Sequence, residues 1–307
     1  MWSAPDKRRF CGLFLMAACY VAVAGPAKGT SAEAVDSIIG QLEYYRVKGH
    51  ENLLDIARLH DLGFIELVAA NPGVDPWIPG QDRTLVLPKM HLLPNAPREG
   101  IVINLPELRL YYFGDGTGAV VTYPIGIGRE GWETPNGVTR IVRKREAPTW
   151  TPPASIRALR PWLPLTVPPG PSNPLGDYAL DLGWSNYVLH GTNRPYGIGR
   201  RVSSGCIRLY PEDIERLFSM VSVGTPVTVV AQPLKLGWSE GQLYIEVHPD
   251  AQEGDQLERR GWFAPAPLPQ FEERVQAFAG TQAHRIDWPA VRAVVRRKRG
   301  IPVQVTF

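Results

Sequence analysis

Residues 190–209 read His190-Gly191-Thr192-Asn193-Arg194-Pro195-Tyr196-Gly197-Ile198-Gly199-Arg200-Arg201-Val202-Ser203-Ser204-Gly205-Cys206-Ile207-Arg208-Leu209. A histidine closes an apolar, strand-like run, a cysteine stands just ahead of a helix signal at Pro211, and a glycine-rich spacer separates them. A lone cysteine is most often a small buried hydrophobe, but this one has the neighbours that a nucleophile needs. A thiol passes its proton to a nearby base, and a third group holds the imidazole in one tautomer. His190 can be that base, with the adjacent backbone as its orienter. Gly205 lets the chain turn sharply enough for successive N–H groups to converge on an oxyanion. Arg208, two residues on, shares the side of an extended segment with Cys206 and can hold a substrate carboxylate through paired hydrogen bonds. The pattern predicts a reactive thiol of low pKa.

Working outward, strand signals dominate. Ile101–Leu105 and Leu108–Phe113 form a hairpin around Pro106-Glu107, followed by Val120–Ile125, Val138–Val142, Tyr178–Leu182 and Tyr187–His190, with Val227–Val230 as the closing strand. The proline-rich runs 148–153 and 167–171 predict extended surface loops. One helix starts at Pro211, with Glu212 and Asp213 in its first turn, Ile214, Leu217, Phe218 and Val221 on one face, and Gly224 as its stop. Residues 98–232 thus read as mainly β with one placed helix. Ahead of them, 44–89 has the layout of a small two-strand, two-helix unit. Residues 233–307 form a partly helical extension with a strand at Leu243–Val247 and amphipathic stretches at Phe271–Ala279 and Trp288–Arg299. The last stretch is basic, through Arg285, Arg292, Arg296, Arg297, Lys298 and Arg299, which is either a solvated helix face or a contact for an anionic polymer or lipid surface.

The chain has 307 residues, 44% hydrophobic and 21% charged, enough for two small domains or for one domain with appendages. Thirty prolines and thirty glycines argue against a helical bundle. Residues 1–24 read as a secretory signal: Lys7, Arg8 and Arg9, an apolar run from Phe10 to Ala24, and a small-x-small ending at Ala22-Val23-Ala24. The expected compartment is the periplasm, with no transmembrane span once the leader is cleaved; an uncleaved anchor and a lipoprotein leader at Met16-Ala17-Ala18-Cys19 are the alternatives. Losing the leader brings the formal charge of +3 nearer neutrality, so nothing suggests nucleic acid. It also removes Cys11 and Cys19, leaving Cys206 without a disulfide partner. His50, His60, His91, His248 and His284 lack a spacing with Cys, Asp or Glu that makes a metal site, and no cofactor is implied.

Residues 190–209 closely resemble the signature of the L,D-transpeptidases of the YkuD family, ErfK/YbiS type: His-Gly-Thr, a glycine-rich spacer, then Ser-His-Gly-Cys-Ile/Val-Arg-Leu. The likeness extends through Ile101–Asn104, Pro124–Gly128, Pro148–Pro152 and Val167-Pro168. The segment 44–89 resembles a LysM module, with Tyr45, Val47, Gly49, Leu53, Ile56, Ala57, Asn71, Pro72 and Leu85–Pro88 matching its pattern. The resemblance implies a YkuD-type β-sandwich behind a small βααβ module. It also implies a carbapenem-sensitive transferase of cell-wall organization and cell shape. Its substrate would be peptidoglycan: Cys206 attacks the tetrapeptide stem, D-alanine leaves, and an amine of a second stem (a 3–3 cross-link) or a lysine of an outer-membrane lipoprotein takes the acyl group. By position, His190 corresponds to the base and Gly191 to the residue whose carbonyl orients it. Gly205 and Cys206 supply the oxyanion N–H groups, and Arg208 contacts the donor.

This chain departs from the pattern at Ser204, where the family has a second histidine, either a turn-capping hydroxyl or a neutral donor to the substrate carbonyl. The LysM-like segment is either a glycan-binding module or one that docks the catalytic domain. The rival to the enzyme is a noncatalytic peptidoglycan-binding protein with a degenerate site. A papain-like peptidase would place its cysteine before its histidine.

Overall fold

The computed structural model describes residues 37–114 and 119–307; the expected leader lies outside the described residues. The first elements are β1 (Ile38–Ile39), β2 (Glu43–Arg46), α1 (Leu53–Leu59), α2 (Phe64–Ala70), β3 (Thr84–Leu87) and β4 (His91–Leu92). β2 pairs antiparallel with β3, and β1 with β4. Asn52 starts α1 because its side-chain oxygen accepts from the N–H groups of Leu54 and Asp55. Leu53, Ile56, Phe64 and Leu67 bury their side chains in the same hydrophobic cluster as the strands that follow, so this segment has no separate core. The closest approach is between two glycines. Gly199 has φ +72°, and a Cβ there would lie 2.2 Å from the Phe64 nitrogen. The Ile65 N–H donates to the Gly199 carbonyl at 3.2 Å. The spacer between His190 and Cys206 therefore rests on the start of α2.

The central part contains β5 (Gly100–Asn104), β6 (Arg109–Gly114), β7 (Val121–Pro124), β8 (Ile127–Gly128), β9 (Gly137–Glu146), α3 (Ala154–Leu159), β10 (Tyr178–Leu182), β11 (Val188–His190), β12 (Arg201–Ser203), β13 (Ile207–Arg208), α4 (Pro211–Met220) and β14 (Pro226–Val230). Eight strands join in the order β13-β11-β10-β9-β14-β5-β6-β7. β9 carries both halves: residues 137–140 pair with β14, and 141–146 pair with β10 across a register shift that skips Val142. Ile101, Ile103, Leu110 and Val229 from one half and Leu180, Leu189 and Ile207 from the other share one core. A bulged strand bends and twists its sheet, which lets the two halves enclose that core with α4 against it. One expectation changes. Val227–Val230 lies in the middle of the sheet, between β9 and β5, because the chain leaving α4 returns to run parallel to β5 and antiparallel to β9. The segment between the proline-rich runs contains the short helix α3, which follows Pro153 and buries none of its residues.

The last part has β15 (Leu234–Ser239), β16 (Gln242–Val247), α5 (Ala251–Arg260), α6 (Phe271–Ala279), α7 (Trp288–Arg297) and β17 (Val303–Gln304). Leu243, Ile245, Val275, Val291 and Val295 form a second, smaller core. Much of the basic run is already partnered: Lys298 is buried on Glu253 at 2.6 Å, Arg292 meets Glu272 at 3.0 Å, and Arg299 donates to the Ala70 carbonyl. Among the described residues no helix is long and apolar enough to cross a membrane.

Candidate active site

β11 and β13 run parallel, with Leu189 opposite Ile207 and His190 opposite Arg208. Paired residues point to one face and alternate residues share it, so this register puts His190, Cys206 and Arg208 on the same side. They line one cleft of about 300 Å³ together with Trp150, Asn186 and Ser204.

His190 is buried, and its Nδ1 lies 2.5 Å from the Gly191 carbonyl oxygen. In the neutral ring, Nδ1–H donates to that carbonyl and Nε2 keeps its lone pair. Burial, reinforced by the Arg208 charge, holds the imidazolium pKa down to about 3. The Cys206 S–H donates to the Asn186 carbonyl at 3.6 Å. Burial pushes this thiol up, against the smaller opposing pulls of a Val188 backbone hydrogen bond and then of the Arg208 charge. Burial thus works against the low-pKa thiol that the motif predicts.

Gly205 sits at φ +99°, a conformation that favours glycine, and a Cβ there would come within 3.0 Å of the Tyr187 ring. The carbonyls around it are tied back: the Ser203 hydroxyl donates to the Cys206 oxygen at 2.5 Å and the Thr134 hydroxyl to the Gly205 oxygen at 2.9 Å. The N–H groups of Gly205 and Cys206 find no acceptor among the described residues. The Ser204 hydroxyl accepts from Arg129 Nη1 at 3.1 Å, and that guanidinium lies 5.3 Å from the centre of the Trp132 ring. Arg208 is half-buried and its Nε has no hydrogen-bond partner. Its backbone exchanges hydrogen bonds with Gly126.

Of the six residues singled out in the sequence, His190, Ser204, Cys206 and Arg208 line this cleft, while Gly191 holds the His190 ring through its carbonyl and Gly205 forms the turn before Cys206. Arg129, Thr134 and Asn186 were not singled out in the sequence, although Arg129 directly follows Gly128 and Asn186 directly precedes the strand expected at Tyr187–His190. His91 and His248 prove to be buried in an ionic cluster. His91, Glu107 and Glu246 offer ligand atoms within 4.8 Å of one another. Lys235 Nζ, 2.8 Å from Glu107 and 2.9 Å from Glu246, already supplies the cation there.

The family model for the L,D-transpeptidase catalytic domain (YkuD) matches residues 98–229. The chain is 41% identical over 305 residues to "Probable L,D-transpeptidase YcfS" of Escherichia coli strain K12, covering 95% of this chain and 93% of that one. It is 39% identical to "Probable L,D-transpeptidase ErfK/SrfK" of the same strain, over 88% and 87% of the two chains. Among solved structures, the catalytic domain of the E. faecium L,D-transpeptidase aligns at 26% identity and a TM-score of 0.36, over 45% of this chain and 100% of that one. The chain belongs to the YkuD family of L,D-transpeptidases.

Proposed function

We propose that this chain is a peptidoglycan L,D-transpeptidase that passes a tetrapeptide stem through a thioester on Cys206. The observation that carries this reading is a half-buried thiol that shares one cleft with a histidine whose Nδ1 is fixed on the Gly191 carbonyl. Only Nε2 is then left to take a proton. Cys206 Sγ attacks the carbonyl carbon between diaminopimelate and the terminal D-alanine. The C–S bond forms as the thiol proton moves to His190 Nε2. The oxyanion is met by the N–H groups of Gly205 and Cys206. The C–N bond then breaks, and His190 returns the proton to the leaving amine. An acceptor amine repeats the sequence in reverse: it attacks the thioester, loses a proton to His190, and the thiolate leaves as a thiol. Ser204, polarised by Arg129, keeps a hydroxyl hydrogen to offer the donor carbonyl.

Two grooves adjoin the site. One contains Ser204 and Arg208; the other contains Cys206 itself with Trp184 and Asn186. This arrangement suits a donor on one side and an acceptor amine, from a second stem or a lipoprotein lysine, on the other. Residues 98–232 are the catalytic domain, 233–307 an extension, and 44–89 a LysM-like module that supports the Gly199 loop. The leader at 1–24 sends the protein to the periplasm.

The test is product analysis after incubation with disaccharide-tetrapeptide. Wild type should release D-alanine and give a cross-linked dimer or a trimmed stem, and Cys206→Ala should give neither. A folded wild type that yields no product would favour the noncatalytic binding protein.

A further inference from the structure

The groove beside Ser204 and Arg208, about 700 Å³ in volume, is also lined by Arg129, Arg160 and Arg194. Among its described lining residues there is no Asp or Glu. The one arginine in its wall with an acidic partner is Arg200, which pairs with Glu258. Arg208 Nε is buried without a hydrogen-bond partner. Burial lowers the pKa of Arg208, and the charges of Arg194, Arg129 and Arg160 push it the same way. Four guanidinium groups facing one cavity repel one another, and planar, paired donors match carboxylates above other anions of a peptide. Trp150, Ile156 and Leu159 add apolar surface to the lining.

We infer that this groove binds the donor stem through its free carboxylates, and that Arg129, Arg160 and Arg194 make the enzyme select acidic stems over carboxamide stems. The inference rests on the transpeptidase reading for the identity of the ligand. A stem peptide carries carboxylates at glutamate and diaminopimelate in addition to the one on its terminal alanine. Converting the first two to carboxamides keeps size and hydrogen-bonding groups and removes charge. Arg160 and Arg194 are exposed, so their substitution by glutamine removes charge without opening the core.

The experiment is calorimetric titration of the Cys206→Ser protein, in which no thioester forms, with the acidic tetrapeptide and with its carboxamide analogue. The same titrations are run on versions that also carry Arg160→Gln or Arg194→Gln. The acidic stem should bind roughly tenfold more tightly, with the advantage shrinking as salt is raised. Each arginine substitution should weaken the acidic stem alone, by roughly threefold to tenfold. Equal affinity for the two stems, equal losses on both in the variants, or binding of neither stem would overturn the inference. D-alanine release by wild type is read separately. Charge-selective binding without release would sink the transpeptidase reading and keep the groove; release without charge preference would do the opposite.

Discussion

The active-site cleft and the ionic cluster around Lys235 are both polar and both largely buried, yet they are built on opposite principles. In the cluster, charges answer one another. Lys235 Nζ holds Glu107 and Glu246 and donates to the Leu92 carbonyl, and His248 Nε2 lies 2.7 Å from Glu246. Arg109 meets Glu66 at 2.6 Å close by. The main gap is His91 Nδ1, which stops 3.6 Å short of Glu107. In the cleft, groups are held but left incomplete: a histidine with one nitrogen committed, two N–H groups without an acceptor, and an arginine with a spare Nε. Satisfied polar networks fix a structure; unsatisfied ones aimed into a cavity are where a substrate can supply what is missing.

Substitutions should separate the two. His190→Ala should cut turnover by roughly a hundredfold to ten-thousandfold while the protein stays folded, with a smaller loss in urea unfolding than removal of a buried charge partner brings. Near-normal turnover would remove His190 from the reaction. Lys235→Met should do the reverse. It leaves two buried carboxylates facing each other and should cost about 3–5 kcal/mol of stability in urea unfolding, while turnover per folded molecule stays close to wild type. A small loss of stability would mean that the cluster does not hold the three chain segments together.

Arg208→Gln sharpens the comparison within the cleft. Its charge disfavours the His190 imidazolium and favours the Cys206 thiolate, so removing it raises both pKa values. The alkylation rate of Cys206 by iodoacetamide should then fall several-fold at neutral pH, with its alkaline limb moved to higher pH. The His190 titration, followed by NMR, should climb from about 3 towards the ordinary imidazole range. Movement of either value in the other direction would contradict the assigned electrostatics. The smallest effect is expected at Ser204. Ser204→Ala, which removes one of the acceptors of the Arg129 guanidinium, should lower turnover a few-fold, visible in kcat against KM for D-alanine release, and no change would make that hydroxyl a turn cap.

The cleft was legible because its residues are neighbours in sequence. The β11–β13 register and the positive φ of Gly205 follow from a strand, a glycine-rich spacer and a second short strand within twenty residues. The cluster was not legible, because Glu66, His91, Glu107, Lys235 and Glu246 come from distant elements and no spacing in the chain links them. The same reason hid Arg129, Thr134 and Asn186, which reach the 203–206 loop from other loops. Periodicity placed α4, α6, and α7 up to Arg297. It missed α3 because flanking prolines masked one and a half turns of helix, and α5 because its ten residues bury little beyond Leu257, Gly254 and Glu253. The high thiol pKa escaped because burial, which raises it, is a property of the fold rather than of the motif.

The most direct measurement is intact-protein mass spectrometry of the wild-type enzyme mixed with disaccharide-tetrapeptide and quenched in acid, beside Cys206→Ala. The account predicts an adduct with the mass of the stem less D-alanine, on Cys206 and absent from the variant. An adduct that persists in Cys206→Ala, or D-alanine released with no dependence on Cys206, would contradict it.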